Sequence, residues 1–465
     1  MHHLNHPTGT RICTRIGVPA RGLAPSVLAL MLLAAMPALS GAQTAADLGK
    51  SLTPIGADPK GNADGSIPAW TGGDKDVGKG APIGFLANPY AADKPIATIN
   101  ASNLGAYQAK LSAGHAAMLK KYADFAIPLY PTRRSGFFPQ AIYDETAQNP
   151  GRAKLVNGGV TGTTGGVPFP IPKNGEEVIL NHKFRYQGNN YSQSVTRAIV
   201  GPSGDINPQR VNFEILFQYG NTKLAPASRA PGVLSYYIER KLAPARIAGE
   251  VDLAYSYTAA SGGNSFQTIW VYNPGQRRVR LAPELAYDTP QDDGMRTSDE
   301  LDQFNGGTDR YDWKLVGKRE LIVPYNNFQI LSPTLKLADL LKPGHLNPDY
   351  LRYELHRVWV VEATLKKGAS HIYGKRVFYV DEDSWAVVVQ EKYDTRGELW
   401  RVSEAIPVVN PWVGAIYTNN DIYYDLRSGR YLANGLVNSE KEIMTLPQHK
   451  PDYFSEQNLR TLGTR

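Results

Sequence analysis

Four successive β-strand patterns between Arg352 and Ala405 constrain the fold more than any other part of the chain. Alternation of apolar and polar residues predicts strands at Tyr353–Leu365, Lys375–Asp381, Trp385–Asp394 and Leu399–Ala405. Turn sequences such as Lys367-Gly368 and Thr395–Gly397 separate these patterns. Because short connections join antiparallel neighbours, the segment predicts a meander with one fully apolar face.

Elsewhere the clearest hairpin joins Thr268–Tyr272 to Arg278–Leu281 through the turn sequence NPGQ. Helical spacing of apolar residues predicts helices at Ser102–Tyr122, Glu176–Tyr186 and Pro333–Lys342. The 44 glycines and 33 prolines suit a chain with many turns, and the 26 tyrosines favour strands. The pattern therefore predicts a mainly β (α+β) protein.

The first 42 residues have the pattern of a secretory signal peptide. Three arginines form a basic region, and Ala24–Met36 follows as an apolar run. Small residues then predict cleavage between Ala42 and Gln43. An N-terminal anchor helix is the alternative, but the run is too short and too rich in alanine for a stable membrane span. We therefore expect an exported protein of the periplasm.

Cys13 is the only cysteine, and it lies inside the predicted signal peptide. We therefore expect the mature chain to have no disulfide, no cysteine-ligated metal and no thiol nucleophile. Since no cysteine stands at the cleavage site, an acylated lipoprotein is not expected. The formal net charge of +7 falls when the three arginines are removed, which argues against nucleic-acid binding. No other apolar run approaches about 18 residues, so we predict no membrane-spanning segment.

Motifs for catalysis and cofactor binding are missing from the sequence. It contains no GxGxxG between a strand and a helix, no phosphate-binding loop and no GxSxG nucleophile elbow. The histidines of the mature chain lack HxxxH or HExxH spacing, so no zinc site is predicted. We accordingly predict no catalytic residue, no metal and no cofactor.

Two groups of titratable residues are nevertheless candidates for acid–base chemistry. Glu354, His356 and Glu362 share the less apolar face of one predicted strand, which suits a general base or a salt bridge on the sheet surface. An acidic loop supplies Asp288, Asp292, Asp293, Asp299, Glu300 and Asp302. We favour a structural role for the first group and a solvated loop for the second, because nothing in the sequence brings the loop carboxylates together in an apolar site.

Tryptophans carry the strongest positive signal of a ligand site. Five of them lie in or begin predicted strands: Trp270, Trp313, Trp359, Trp385 and Trp400. Trp70 lies in an irregular, glycine-rich segment, where we favour packing at the edge of a hydrophobic core over contact with a ligand. Aromatic residues on one sheet face form ordinary core in many proteins, but they also line apolar ligand cavities. The pattern alone favours core.

Several long segments resemble one family of exported proteobacterial proteins. They are NADGSIPAWTGG at 62–73, YPTRRSG at 130–136, FNGGTDRYDWKLVGKRELIVPYN at 304–326, RYELHRVWVVEATLKKG at 352–368 and KRVFYVDEDSWAVVVQEKYDTRGELWRV at 375–402. Through these segments the chain resembles the domain-of-unknown-function 1329 family over nearly its whole mature length.

That resemblance implies the fold of the outer-membrane lipoprotein-sorting proteins LolA and LolB. This fold is an incomplete, strongly curved antiparallel barrel with helices in or over its mouth. Members of the family are often encoded beside exporters of the resistance-nodulation-division type and an outer-membrane protein, which implies partners of these two kinds. The family has no established catalytic residues that could be carried over.

With such a fold, the chain divides into four parts. Residues 1–42 are the signal peptide, 43–175 an irregular and helical lead-in packed on the barrel, 176–440 the curved sheet domain and 441–465 a polar C-terminal tail. Nine residues are predicted to line the cavity of the barrel: Trp70, Trp270, Tyr272, Trp313, Trp359, Val361, Trp385, Val387 and Trp400.

Taken with the resemblance, these features favour a periplasmic carrier or chaperone. It would bind a hydrophobic ligand, such as a lipid or the acyl chains of a lipoprotein, without covalent chemistry. An envelope hydrolase that uses Glu354, His356 or carboxylates of the acidic loop is the first alternative. A structural adaptor of an export complex, with a partner-sized apolar patch and no internal cavity, is the second.

Overall fold

The computed structural model describes residues 43–261, 265–283 and 286–463 of the chain. The predicted signal peptide, including Ala42 at its cleavage site, lies outside the described residues. Within the described ranges, no helix is both long enough and apolar enough to cross a membrane.

The lead-in, residues 43–175, contains only short elements. Its helices are α1 Leu104–Tyr107, α2 Ala113–Lys121 and α3 Gln140–Gln148. Its strands are β1 Ala97–Ile99, β2 Ile127–Leu129, β3 Lys154–Val156 and β4 Gly159–Thr161. The single helix predicted at Ser102–Tyr122 is wrong in extent, because the backbone is extended at Leu111 and Ser112. A new helix starts there, and the Ser112 hydroxyl caps it by accepting a hydrogen bond from the His115 N–H.

One half of the main sheet follows helix α4 Gly175–Phe184. Its strands are β5 Asn190–Val200, β6 Ile206–Phe217, β7 Val233–Ala243, β8 Val251–Ser261, β9 Ser265–Asn273 and β10 Arg278–Leu281. The predicted hairpin of β9 and β10 is confirmed. The connecting segment then adds β11 Pro290–Gln291, β12 Arg296–Thr297 and β13 Tyr311–Pro324.

The other half of the sheet is built from the last third of the chain. Its strands are β16 Tyr353–Leu365, β17 Lys375–Asp381, β18 Val387–Tyr393, β19 Leu399–Asn410, β20 Ala415–Asp425 and β21 Tyr431–Leu436. The remaining elements are α5 Leu337–Leu340, β14 Leu341–Lys342, β15 His345–Leu346 and α6 Glu456–Gly463. The helix predicted at Pro333–Lys342 is wrong except for α5, because its last two residues pair with β15 instead.

Fifteen of the described strands form one sheet. Its order is β1-β2-β16-β17-β18-β19-β20-β21-β5-β6-β7-β8-β9-β10, and β13 also pairs with β16. The pairing is antiparallel throughout, apart from a parallel contact between Leu129 of β2 and Tyr353 of β16. The two ends of this path do not pair with each other in the described ranges. These features confirm the predicted mainly β class and the incomplete antiparallel barrel.

The strands and the antiparallel pairing of the predicted meander are confirmed. Its fully apolar face is wrong, because the pairing puts Gln390 and Ser403 on the side of Val361, and Glu391 and Glu404 on the other side.

A second correction concerns Trp385. Strand β18 starts at Val387, and Trp385 lies in the preceding turn with φ of 57°, a left-handed value outside the β region of non-glycine residues. A backbone hydrogen bond of 2.9 Å from Asp381 N–H to the Ala386 carbonyl closes this turn. The turn buries the indole, whose Nε1 donates to the Ile55 carbonyl at 3.1 Å.

The pairing register separates two faces of the sheet. We define the inner face as the side of the sheet that carries Val361. Pairing from each strand of the meander to the next places Phe378, Gln390, Ser403 and Tyr423 on the same side. Leu432 of β21 pairs with Tyr423 on one side and with Ile199 on the other, so the inner face continues into the other half of the sheet. There it carries Ile215, Tyr237, Ala254 and Ile269. The outer face is the opposite side.

Helix α4 covers the inner face of the meander, which confirms the helix predicted at Glu176–Tyr186. A Cβ atom at Gly175 would lie only 2.8 Å from Cγ1 of Val361, so a larger residue would not fit between helix and sheet. The backbone N–H of Val387 donates to Nδ1 of His182 at 3.0 Å. Helix α4 therefore covers the face of the meander that was predicted to line the cavity.

Two helices cover parts of the outer face. Helix α2 packs on β18 and β19, where His115 Nε2 lies 2.8 Å from Oε1 of the buried Glu404. The C-terminal segment differs from the predicted polar tail, because α6 buries Leu459 and Leu462 against β8 and β9 together with Phe454. Polar residues outnumber the apolar ones in this segment, and so its composition hides its packing role.

Candidate functional site

A cavity of about 790 Å³ lies on the inner face of β6–β9. Apolar parts of its wall include Ile215, Ala254, Ile269 and Phe266. A second cavity of about 170 Å³ adjoins it and shares Ile215, Phe266 and Tyr237 with it. The inner face is therefore open in this half of the sheet, whereas α4 fills it in the meander.

Residues 286–309, which we call the strap, lie over the inner face. Asp292, Leu301 and Asn305 of the strap contribute to the wall of the larger cavity, opposite the strands. Met295 of the strap packs with Tyr423 of β20 in a small buried cluster. The strap thus supplies the part of the wall that the sheet does not.

Two buried ion pairs hold the strap on the meander. Nη1 of Arg376 lies 2.6 Å from Oδ2 of Asp299, and Nζ of Lys392 lies 2.5 Å from Oε1 of Glu300. Burial by itself raises the pKa of Asp299, but the charge of Arg376 and the contacts with His371 and Thr297 together outweigh burial and hold that pKa well below its usual range. The prediction of a solvated loop is wrong for these carboxylates, because the strands supply buried cations for them.

Several charged groups in the wall of the larger cavity are paired with one another. Arg197 donates from Nη1 to Oε1 of Glu239 at 2.8 Å, and the Tyr237 hydroxyl donates to Oε2 of the same carboxylate at 2.5 Å. Arg296 donates from Nε to Asp292 of the strap. These pairs form a polar region beside the apolar wall, so the cavity offers both kinds of surface to a ligand.

Asp302 of the strap lines the smaller cavity, and the backbone is strained at Asp302 and at the next residue, Gln303. Their φ angles are 50° and 66°, so two successive non-glycine residues adopt the left-handed conformation. Asp302 pairs with Arg185 at 2.6 Å, and Gln303 donates from Nε2 to Asp421 at 2.8 Å. Burial, with the charge of Asp302 nearby, raises the pKa of Asp421 to about 7.

The nine predicted lining residues are all described, and none of them lies in the walls of these two cavities. Trp270 and Tyr272 of β9 are on the outer face, where they pack in one cluster with Leu459 of α6. Because side chains alternate along a strand, Ile269 and Val271 enter the cavity instead.

The other predicted lining residues are packed in the protein. Val361 and Val387 are fully buried on the half of the sheet that α4 covers, and the rings of Trp359 and Trp385 stack with centroids 6.1 Å apart. Three indoles donate to neighbouring oxygens: Trp70 to the Gly136 carbonyl, Trp313 to the Thr308 carbonyl and Trp400 to the Asp425 carboxylate. Their role in binding a ligand stays a prediction.

Sequence reasoning did not select the apolar residues that form the cavity wall, such as Ile215, Ala254 and Phe266. The available signal was the alternation of each strand, which assigns side chains to two faces. Alternation does not say which face is inner, and it does not say which half of a sheet a helix will fill.

Glu354 and His356 are buried on the outer side of β16, so the prediction of a pair on the sheet surface is wrong about exposure. His356 Nε2 lies 3.1 Å from Oε2 of Glu354, and its Nδ1 lies 3.4 Å from Oδ1 of Asp381. Burial alone lowers the pKa of His356, but these two carboxylates outweigh burial and raise it to about 9. The lead-in covers the group, since the Arg133 N–H donates to Glu354 at 2.7 Å. Glu362 is only half-buried.

His356, Asp381 and Asp383 are the described residues closest to a metal-ligand arrangement, with their ligand atoms within 4.8 Å of one another. Arg134, however, donates to both oxygens of Asp383, at 2.7 and 2.8 Å. The raised pKa of His356 also keeps its imidazole protonated at neutral pH, which leaves no lone pair for a metal ion. Ion pairing therefore accounts for this cluster.

Comparison with known proteins identifies the family of this chain. It is 45% identical over 445 residues to the uncharacterized protein PA3922 of Pseudomonas aeruginosa, with 93% of this chain and 94% of that protein covered. Residues 98–460 match the family described as "Protein of unknown function (DUF1329)". Both matches agree with the resemblance seen in the sequence.

Solved structures that match this chain share little sequence with it. A DUF1329 family protein from Desulfovibrio piger is 15% identical, covers 61% of this chain and 96% of its own, and has a TM-score of 0.41. A putative outer membrane lipoprotein-sorting protein domain from Vibrio parahaemolyticus is 12% identical, with coverages of 61% and 97% and a TM-score of 0.42. The LolA superfamily protein NE2245 from Nitrosomonas europaea is 14% identical, with coverages of 62% and 100% and a TM-score of 0.36. By its family match and its full-length relative, the chain belongs to the DUF1329 family.

Proposed function

We propose that this protein is a carrier that holds a hydrophobic ligand non-covalently in the cavity between the strap and the inner face of β6–β9. The observation that carries the proposal is the cavity itself, about 790 Å³ in volume and lined in part by apolar side chains. Small-molecule sites usually measure about 300–1,000 Å³ and combine apolar walls with a few polar groups. The cavity meets both criteria.

Burial of apolar surface supplies the binding free energy in this proposal. Each Å² of ligand surface removed from water contributes roughly 25 cal/mol, and no covalent step is needed. Ile215 of β6, Ala254 of β8 and Ile269 of β9 offer apolar surface on the same face of the sheet. The paired charges of Arg197 and Glu239 lie beside them, which suits a ligand with one polar end.

Location and partners complete the proposal. The signal-peptide pattern at residues 1–42 supports export to the periplasm, where a carrier would take a lipid, lipoprotein acyl chains or a similar molecule across the envelope. An exporter of the resistance-nodulation-division type and an outer-membrane protein are the partners that we propose on either side of this transfer.

No observation comparable to the cavity favours either the hydrolase or the adaptor, the two alternatives that the sequence left open. A hydrolase was expected to bring Glu354 and His356, or the loop carboxylates, into one polar pocket. Instead, the first pair is buried beneath the lead-in, and Asp299 and Glu300 are held by Arg376 and Lys392. The adaptor hypothesis expected no internal cavity.

Filling the cavity tests the proposal. N-phenyl-1-naphthylamine, a neutral probe that fluoresces in apolar surroundings, should bind the protein of residues 43–465 at one saturable site. Ala254→Trp places a large ring in the cavity wall and should abolish that binding without unfolding the sheet. Val316→Trp adds the same ring at an exposed position of β13 and should bind as the unmodified chain does. Absence of saturable binding, or equal binding by Ala254→Trp, would overturn the proposal.

A further inference from the structure

Lys183, near the end of α4, is a buried cation without a counter-ion. Its side chain is buried, with 7% of the residue exposed. Every other buried lysine or arginine of the described chain has a carboxylate within 4.0 Å, as Lys392 has Glu300 and Arg376 has Asp299. Lys183 has none within that distance among the described residues.

The contacts that Lys183 does make are with neutral groups. Its Nζ donates to the Gly306 carbonyl of the strap at 3.0 Å and lies 4.2 Å from the centre of the Phe266 ring. A carbonyl and an aromatic face attract an ammonium ion, but they do not replace a negative charge in a dry site. Burial accordingly lowers the pKa of Lys183 to about 7, even though Asp309 acts in the opposite direction.

Lys183 lines the smaller cavity at its boundary with the larger one. Phe266, which lies beneath the ammonium group, belongs to the walls of both cavities. A molecule whose chain fills the larger cavity could therefore place one end beside Nζ. The smaller cavity, about 170 Å³, leaves room there for a head group.

The carboxylates near this end of the cavity do not compete for the lysine. Asp302 pairs with Arg185, and Asp421 accepts a hydrogen bond from Gln303 while burial raises its pKa to about 7. Arg197, the other cation that lines the smaller cavity, is already paired with Glu239. Of the two cations that line the smaller cavity, Lys183 is therefore the one with no carboxylate within 4.0 Å among the described residues.

We infer that Nζ of Lys183 binds the anionic head group, a carboxylate or a phosphate, of a single-chain amphiphile whose alkyl chain occupies the larger cavity. This inference rests on the proposed function, since it assumes that the cavity takes a hydrophobic chain. It adds the chemical class of the ligand and the side chain that selects it. Hydrogen bonds to charged partners are stronger than neutral ones, so the anionic group should raise the affinity by about tenfold or more.

Three ligands with one chain length test this inference: dodecanoate, dodecyl phosphate and dodecanol, each titrated below its micelle concentration by calorimetry at pH 7. The unmodified protein should bind at least one of the two anions about tenfold more tightly than the alcohol, and the anion preferred tells a carboxylate site from a phosphate site. Lys183→Met keeps the apolar stem and should reduce anion binding to the level of the alcohol. Lys183→Arg keeps the charge and should retain the preference.

Each outcome bears on the inference. Equal affinity for the anions and the alcohol, or an anion preference that survives in Lys183→Met, overturns it while the carrier proposal stands. Failure of all three ligands to bind overturns both. Thermal unfolding of Lys183→Met checks its fold, which should be retained because the substitution leaves no carboxylate unpaired. If that variant does not fold, the comparison of anion and alcohol in the unmodified protein decides.

Discussion

Arg376 and Asp299 form a fully buried ion pair, with Nη1 of the arginine 2.6 Å from Oδ2 of the aspartate, and this pair fastens the strap to strand β17. Both side chains are buried, so water cannot take the place of a lost partner. The strap in turn provides part of the cavity wall. The stability of this pair therefore bears directly on the shape of the cavity.

Removal of the arginine should be strongly destabilising. Arg376→Met leaves Asp299 buried with its main counter-charge gone, so we expect the free energy of unfolding to fall by about 3–5 kcal/mol. Urea denaturation followed by tryptophan fluorescence measures the change. Asp299→Asn in the Arg376→Met background should recover part of the loss, since it removes the orphaned charge.

A surface pair is the matched control for this prediction. Lys79 and Asp76 lie 3.1 Å apart with side chains that are 76% and 87% exposed. Lys79→Met should change the free energy of unfolding by less than about 1 kcal/mol. A loss in Arg376→Met no larger than this would contradict the role given to the buried pair.

His356 should make stability fall as the pH rises above neutrality. The pKa of its imidazole is raised to about 9 in the folded protein, against about 6.5 in an unfolded chain. The imidazolium contribution is therefore complete below about pH 6.5 and is lost as the pH rises through 9. A shift of this size corresponds to roughly 3 kcal/mol.

Comparison with His356→Gln isolates this contribution from that of other titrating groups. The difference in unfolding free energy between the two proteins, measured by denaturation at pH 6 and at pH 9.5, should be larger at the lower pH by roughly 2–3 kcal/mol. A difference that is the same at both values would show that Glu354 and Asp381 do not hold the imidazole in its charged form.

Helix α6 should contribute stability through Leu459. This residue is fully buried against the outer face, in the cluster that holds Trp270 and Tyr272. Leu459→Ala leaves a cavity there and should lower the free energy of unfolding by about 2–5 kcal/mol. Gln457→Ala, at an exposed position of the same helix, should have little effect. Equal melting temperatures for the two variants would contradict the docking of α6.

The meander was predictable because each of its strands alternates cleanly and ends at a turn. The main error there, Trp385, arises because an apolar residue before a run of valines fits a strand pattern, whereas burial against the Ile55 carbonyl requires the turn. Contact with a residue so far away in the sequence has no local signature.

The cavity was harder to predict for a related reason. Both faces of the sheet carry buried side chains, so Trp270 and Ile269 are equally apolar in the sequence although they lie on opposite faces. Which face remains open depends on where α4, α6 and the strap pack. In the same way, Asp299 and Glu300 are polar in the sequence and buried in the fold, because Arg376 and Lys392 lie on the strands beneath them.

Native mass spectrometry of the protein purified from a periplasmic extract tests the central claim most directly. The carrier account predicts that part of the protein carries an adduct of one bound molecule, which organic solvent releases, and that Ala254→Trp purified in the same way carries none. A bare protein mass for the unmodified chain, or an adduct that Ala254→Trp retains in full, would contradict the account.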